Sequence, residues 1–258
     1  RIDRHNLKRK LAFWRGLAIL AVIAGLLMAG GGSLDSVRGP YIARVEVTGI
    51  IVDDRDRDAI LRAIAKDDRI KAVVVHIDSP GGTMVGGEAI YSTLRDLAEK
   101  KPVVAVLGTV AASGGYMTAL AADYIIAREG TITGSIGVIF QTAEITSLLE
   151  KLGVKTTAIK SAPLKASPSP LEKLTPQVRR VTQALVDDMF GVFINMVADR
   201  RGMGLETARA LADGRVYTGR QAFAKKLVDA LGGEGEARKW LEVARGVDPA
   251  LPIRDIAI

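Results

Sequence analysis

The sequence predicts an α/β fold on a mostly parallel sheet, preceded by a helix able to cross a membrane. Three observations carry this: apolar runs of strand length alternate with segments of helical period, the strand runs are apolar on both faces, and a charge-free stretch follows a basic N-terminal arm. With 48% hydrophobic and 25% charged residues among 258, the composition is that of a folded protein rather than a disordered one.

Residues 1–15 form the basic arm. Arg1, Arg4, Lys8, Arg9, Lys10 and Arg15 face Asp3 alone there, so most of the net charge of +7 sits at one end. No basic stripe interleaved with aromatics occurs elsewhere, which argues against a nucleic-acid surface. Residues 16–34, "GLAILAVIAGLLMAGGGSL", carry no charge and as a helix span about 28 Å, close to the hydrocarbon thickness of a bilayer. The stretch is longer than the usual core of a cleaved signal and reads as a retained transmembrane anchor. The positive-inside rule then keeps the arm in the cytoplasm and places the rest outside. Absence of cysteine is compatible with that compartment.

Residues 35–40 link the anchor to a domain over 41–258. "YIARVEVTGII" and "IKAVVVHID" read as strands around the helix "DRDAILRAIAKD", whose Ile60, Leu61 and Ile64 share a face. A helix over about 86–100, strand "PVVAVLG", a helix from Ser113, strand "YIIA", a helix near "EITSLLEKLG" and strand "VKTTAIK" follow. After Pro170 the pattern is helical, and Val178, Val181, Leu185, Met189, Val192, Phe193 and Met196 keep a 3,4 spacing that predicts one buried stripe.

Ligands of open α/β sheets bind beyond the carboxyl ends of the strands. Two glycine-rich turns lie there: "HIDSPGGTM", where the strand ends at Ser79-Pro80, and "TVAASGGYM", where Ser113 stands between small residues. A serine at a helix start is commonly an N-cap. A cap does not need Ala111, Ala112, Gly114 and Gly115 to clear both flanks, whereas an extended substrate approaching a nucleophile does. The N–H groups of Gly82 and Gly114 are candidates for an oxyanion hole.

The usual base for a serine is histidine, but His5 lies in the arm and His76 sits mid-strand. A lysine serves if burial brings it from about 10.4 to near 7, about 4 kcal/mol of differential solvation. Lys160, Lys165 and Lys173 are the candidates, and spacing alone does not choose among them. No glycine turn matches a phosphate-binding P-loop, no His/Cys cluster has metal-ligand spacing, and no cofactor or metal is called for.

The motifs "DSPGG", "VAASGGYMTALAAD", "TITGSIGV", "IKSAPLKASPSP" and "ADGRVYTGRQAFAKKLVDALGG", in this order from about Val45 to Gly233, resemble the bacterial signal peptide peptidase A family, specifically its half-length, membrane-anchored Ser-Lys peptidases. The resemblance implies a crotonase or Clp-protease-like ββα spiral, with Ser113 as nucleophile, Lys165 as general base, Ser135 orienting that lysine, and Gly82 with Gly114 as oxyanion donors. Leu164 and Ala166 depart from the family's usual neighbours of the lysine, and Lys160 is the fallback base. It further implies a single-pass protein of the bacterial inner membrane with its peptidase domain on the periplasmic side. Remnant signal peptides and similar hydrophobic peptides would be its substrates, and a homo-oligomeric ring, an octamer, its assembly, in which a neighbour can supply the base. Two rival readings are a crotonase-type acyl-CoA enzyme with a carboxylate base and a catalytically silent membrane scaffold.

Overall fold

A computed structural model describes residues 13–22 and 39–258. Helix α1 (Phe13–Val22) begins in the last three residues of the arm and covers the first seven of the stretch expected to span the membrane; residues 1–12 of the arm and 23–34 of the expected anchor lie outside the described residues. Residues 40–258 form one compact unit.

Its elements are β1 (Tyr41–Ile51), α2 (Arg55–Lys66), β2 (Ile70–Gly82), α3 (Met84–Ala98), β3 (Val103–Ala112), α4 (Gly114–Leu120), β4 (Tyr124–Ala127), β5 (Ile132–Gly134), α5 (Thr146–Lys151), α6 (Pro176–Arg201), α7 (Leu205–Leu211), β6 (Val216–Thr218), α8 (Gly219–Ala224), β7 (Ala230–Leu231), α9 (Glu234–Arg245) and β8 (Ile253–Ile256). The strands form one sheet in the order β6-β5-β3-β2-β1-β8, with β4 paired to β3 and to β7. Every pairing is parallel except β5 with β6.

Alternate residues of the long strands feed two cores. Val45, Val47, Val73, Val75 and Ile77 join Leu61, Ile90, Leu94, Tyr116 and Phe193 on the face covered by α2, α3, α4 and α6. Ile42, Ala72, Val74, Val104 and Val106 meet Ala237 and Leu241 of α9 on the other. A sheet apolar on both faces thus has helices on both, as the continuous apolar runs predict.

Strand β3 forks. Val104–Leu107 pair with β4, and Val110–Ala112 pair with β5. The backbone N–H groups released at the fork are taken by a side chain from the neighbouring strand: Asp78 accepts from Thr109 N at 3.4 Å and Val110 N at 3.1 Å. Thr131 closes the other side by donating to the Gly108 carbonyl. This turn of the sheet upon itself builds the ββα spiral that the resemblance implied.

Several expectations change. β2 does not stop at Ser79-Pro80 but runs to Gly82, because a register shift opposite Gly49 lets Gly81 and Gly82 pair with Ile50 and Ile51. The second half contributes strands of two to four residues, β6, β7 and β8, too short to show a period. Residues 154–160, read as a strand, are irregular: apolar alternation alone does not make a strand without a ladder partner, and Ile159 is 99% exposed. Of the predicted α6 stripe only Phe193 is buried; Val178, Met189 and Met196 are half-buried, Val181, Leu185 and Val192 stay exposed within the chain, and Phe193 is joined in the core by Ile194, Val197 and Ala198, which lie outside that spacing.

Removing the fork's acceptor leaves two strand N–H groups without a partner. Asp78→Ala is expected to lower the unfolding free energy by about 1–3 kcal/mol, with Asp78→Asn losing less, as read by urea titration followed by circular dichroism.

Candidate active site

Ser113 stands where β3 gives way to α4, and its backbone is unlike that of an ordinary helix cap. The caps Thr83, Thr175 and Thr218 are extended, and each side chain accepts a backbone N–H from the first turn. Ser113 has φ 53° and ψ −120°, and its side chain makes no capping bond. For a residue with a Cβ such a conformation costs about 1–3 kcal/mol and persists only when its surroundings impose it. The imposing contacts are the Ser113 N–H donated to Gly134 O at 2.8 Å and the Ser113 carbonyl accepting from Met117 N at 2.9 Å. Its hydroxyl makes no hydrogen bond among the described residues.

Around it two backbones approach without side chains between them. A Cβ on Gly81 would lie 2.8 Å from both Ser113 Cβ and Gly114 N, and Gly81 has φ 110°, so glycine is required there twice over. A Cβ on Gly114 would lie 3.2 Å from Gly82 N, and one on Gly115 2.7 Å from Ser79 O. The N–H of Gly114, first in its helix, has no intrahelical partner, and the turn carrying Gly82 N lies against it. The structure therefore brings Ser113, Gly82 and Gly114 together.

Sequence reasoning passed over Ser79, which is fully buried and holds the first turn: its hydroxyl donates to Gly49 O at 2.6 Å and accepts from Gly81 N at 3.1 Å. A serine set between an aspartate and a proline at the strand end was the available signal. At the far end of α4, Arg200 donates to the carbonyls of Leu120 and Ala122, and Arg95 to that of Ala121. Burial pushes the Arg200 guanidinium below its ordinary value, and Arg95 nearby pushes it the same way. The fully buried Tyr116 fixes the middle of α4 through a 2.8 Å bond to Leu227 O, its phenol driven well above the usual range by burial.

A cavity of about 350 Å³ opens beside Ser113 and Gly114, walled by Met84, Val85, Met117, Ile139, Met189 and Phe193. Its lining carries no ionisable side chain, so it suits an apolar group. Ser135 lies one residue beyond the Gly134 carbonyl that receives the Ser113 N–H; it has φ 48°, and its own N–H goes to Arg215 O.

The lysines lie elsewhere. Lys165 sits in an exposed turn, and neither it nor Lys160 lines the Ser113 cavity. Lys160 lines a larger cavity of about 1080 Å³ between α5, the following loop and the start of α6, where its Nζ meets Glu172 Oε2 at 2.5 Å and Ser167 Oγ at 3.2 Å. That cavity exceeds the one at Ser113 but holds neither the strained serine nor the glycine turns. Lys173 is exposed. His76 is half-buried in mid-β2 with its Nδ1 unpartnered, outside the Ser113 cavity, and His5 lies outside the described residues. Among the described residues no cluster of three or more His, Cys, Asp or Glu could hold a metal ion.

A family profile described as "Peptidase family S49" matches residues 95–248, which include Ser113, Ser135 and the 160–165 loop but begin after the Gly81–Gly82 turn. A candidate protease of Synechocystis is 45% identical over 210 residues, 81% of this chain and 76% of that one. A candidate signal peptide peptidase of Enterococcus faecium is 34% identical over 226 residues, 82% of this chain and 66% of that one. Among solved structures, a mutant of a membrane-bound stomatin-specific protease superposes with a TM-score of 0.54 over 86% of this chain and 99% of its own, at 15% identity, a likeness of fold.

The close approach makes a sharp expectation. Gly81→Ala should abolish labelling of Ser113 by a fluorophosphonate probe, whereas Gly130→Ala, where a Cβ would meet nothing within 4 Å, should leave it unchanged.

Proposed function

The chain belongs to peptidase family S49 and is a peptidase related to signal peptide peptidase; from that premise we propose that it is a membrane-anchored serine endopeptidase working through a Ser-Lys dyad. The observation that carries the reading is the strained, unbonded Ser113 between two glycine turns at the mouth of an apolar cavity. A neutral lysine takes the Ser113 proton, and Oγ attacks the peptide carbonyl. Gly82 and Gly114 donate their N–H groups to the oxyanion, and the ammonium returns the proton to the leaving amine. Water then enters by the same proton path and releases the acyl group.

Apolar, extended peptides such as remnant signal peptides suit the cavity, with a side chain of leucine or phenylalanine size among Met117, Met189 and Phe193. Residues 16–34 would hold the protein in the bacterial inner membrane with the site on the periplasmic side. A homo-oligomeric ring is supported by the uncovered Val181, Leu185 and Val192 on α6, which copies of the chain would bury against one another.

The base admits two readings. Lys165 is the residue the resemblance selects, with Ser135 orienting it. Its turn stands in solvent within a single chain, so a neighbouring subunit must dry it. Lys160 is favoured by burial, its side chain being 17% exposed, and its Nζ meets the Glu172 carboxylate. Arginine keeps the charge and cannot give up its proton, so Lys160→Arg and Lys165→Arg separate the readings when assayed beside Ser113→Ala on an apolar fluorogenic peptide. Ser113→Ala is expected to lose roughly a thousandfold or more in kcat. A comparable loss confined to Lys165→Arg supports the first reading and one confined to Lys160→Arg the second. Turnover that survives all three replacements overturns the dyad.

A further inference from the structure

A buried guanidinium stands behind the Gly81–Gly82 turn, separated from it by one stretch of backbone. Arg57, in the first turn of α2, is 8% exposed and Asp58 6%. The Arg57 Nε and Nη2 atoms donate to Asp58 Oδ1 at 3.4 and 3.3 Å, and Nη1 donates to the carbonyl of Val52 at 3.0 Å. Asp54 fixes the helix start from which Arg57 projects, accepting from Asp56 N and Arg57 N.

Burying this pair is not explained by stability alone. Apolar side chains of similar volume commonly do as well as a buried ion pair. What an apolar side chain would not supply is a planar fork that holds a carboxylate and a peptide carbonyl at once. The carbonyl it holds belongs to the strand end against which Gly82 is seated. The Ile51 carbonyl occupies the place a Gly82 Cβ would take and accepts Thr83 N at 2.9 Å, while a Cβ on Gly86 would lie 2.5 Å from the Val52 carbonyl carbon. Where residues 51–52 go, residues 82–86 must follow.

We propose that Arg57 is a positioning residue for the reaction: by pinning Val52 it fixes the strand end that seats Gly82, and so keeps the Gly82 N–H aimed at the oxyanion. The inference rests on the reading of Gly82 as an oxyanion donor. A displaced donor weakens transition-state binding far more than ground-state binding, so the effect falls on kcat and not on KM.

The test uses the full chain in detergent micelles with an apolar fluorogenic peptide, each preparation being titrated for active sites with a fluorophosphonate. Arg57→Gln is expected to lower kcat per active site about tenfold or more, to leave KM within twofold, and to slow labelling of Ser113 by the same factor. Arg57→Lys, with a single donor able to reach Val52, is expected to fall between that variant and the unaltered protein. A kcat per active site within twofold of the unaltered protein in Arg57→Gln overturns the proposal, as does a loss that titration assigns wholly to fewer active molecules. If Arg57→Gln does not fold, Arg57→Lys decides by the same thresholds. Ser113→Ala run alongside keeps the two claims apart: turnover in that variant counts against the nucleophile, whereas its inactivity beside an unimpaired Arg57→Gln counts against the positioning role alone.

Discussion

The structure depends on two turns meeting backbone to backbone. Gly81–Gly82 at the end of β2 and Ser113–Gly114 at the start of α4 approach so closely that a methyl group at Gly81 would strike the opposing turn. Such contact is possible only without side chains, and it yields something side chains cannot supply: peptide N–H groups packed beside a hydroxyl in a space that the surrounding fold has already fixed. Preorganised donors of this kind do not reorganise as charge develops, which makes them effective in acyl transfer. The strain at Ser113 belongs to the same arrangement. An extended cap would satisfy the helix and occupy the hydroxyl, whereas the observed backbone leaves the hydroxyl free of any bond to its own helix.

The rest of the fold serves to hold that contact in place. β2 reaches Gly82 because the register shift opposite Gly49 lengthens its pairing with β1, and the Ser79 hydroxyl ties the two sides of the shift together. β3 reaches Ser113 by leaving β4 for β5 at a fork whose freed N–H groups are collected by Asp78 of β2. The adjacent aspartate and serine of "DSPGG" thus act on different strands, Asp78 collecting the freed N–H groups of β3 and Ser79 locking the turn against β1. α4 is held from behind by Tyr116 and at its C-terminus by Arg95 and Arg200. A helix of seven residues is too short to stand by itself, and these bonds supply the rigidity that its length does not.

Much of this was legible in the sequence. The alternation of strand and helix places the long strands because Val, Ile and Ala runs there are buried on both faces, and the alanines and glycines around Ser113 signal a close approach. What was illegible depended on distant partners. The short strands β6, β7 and β8 exist through pairing with β5, β4 and β1, and two to four residues carry no period of their own. Residues 154–160 have the pattern of a strand but pair with no strand among the described residues, so local preference lost to the missing ladder. The same holds for the upper α6 stripe, whose 3,4 spacing correctly marks an apolar face but not what covers it. Arg57 was passed over because a charged residue in "DDRDRD" reads as a solvated helix start, and only the fold shows it buried.

The site has two halves of different character. Ser113 and the N–H groups of Gly82 and Gly114 come from the ends of buried strands and a triply anchored helix, so the chain fixes them without help. The lysines lie on the loop between α5 and α6, outside that cavity: one faces solvent and the other is engaged by Glu172 in a separate cavity. A hydroxyl attacks slowly without a base. In the reading offered above, the second half is completed when copies of the chain bury the apolar face of α6. The fold would then tie proton transfer to assembly through the same loop and helix that the single chain leaves uncovered.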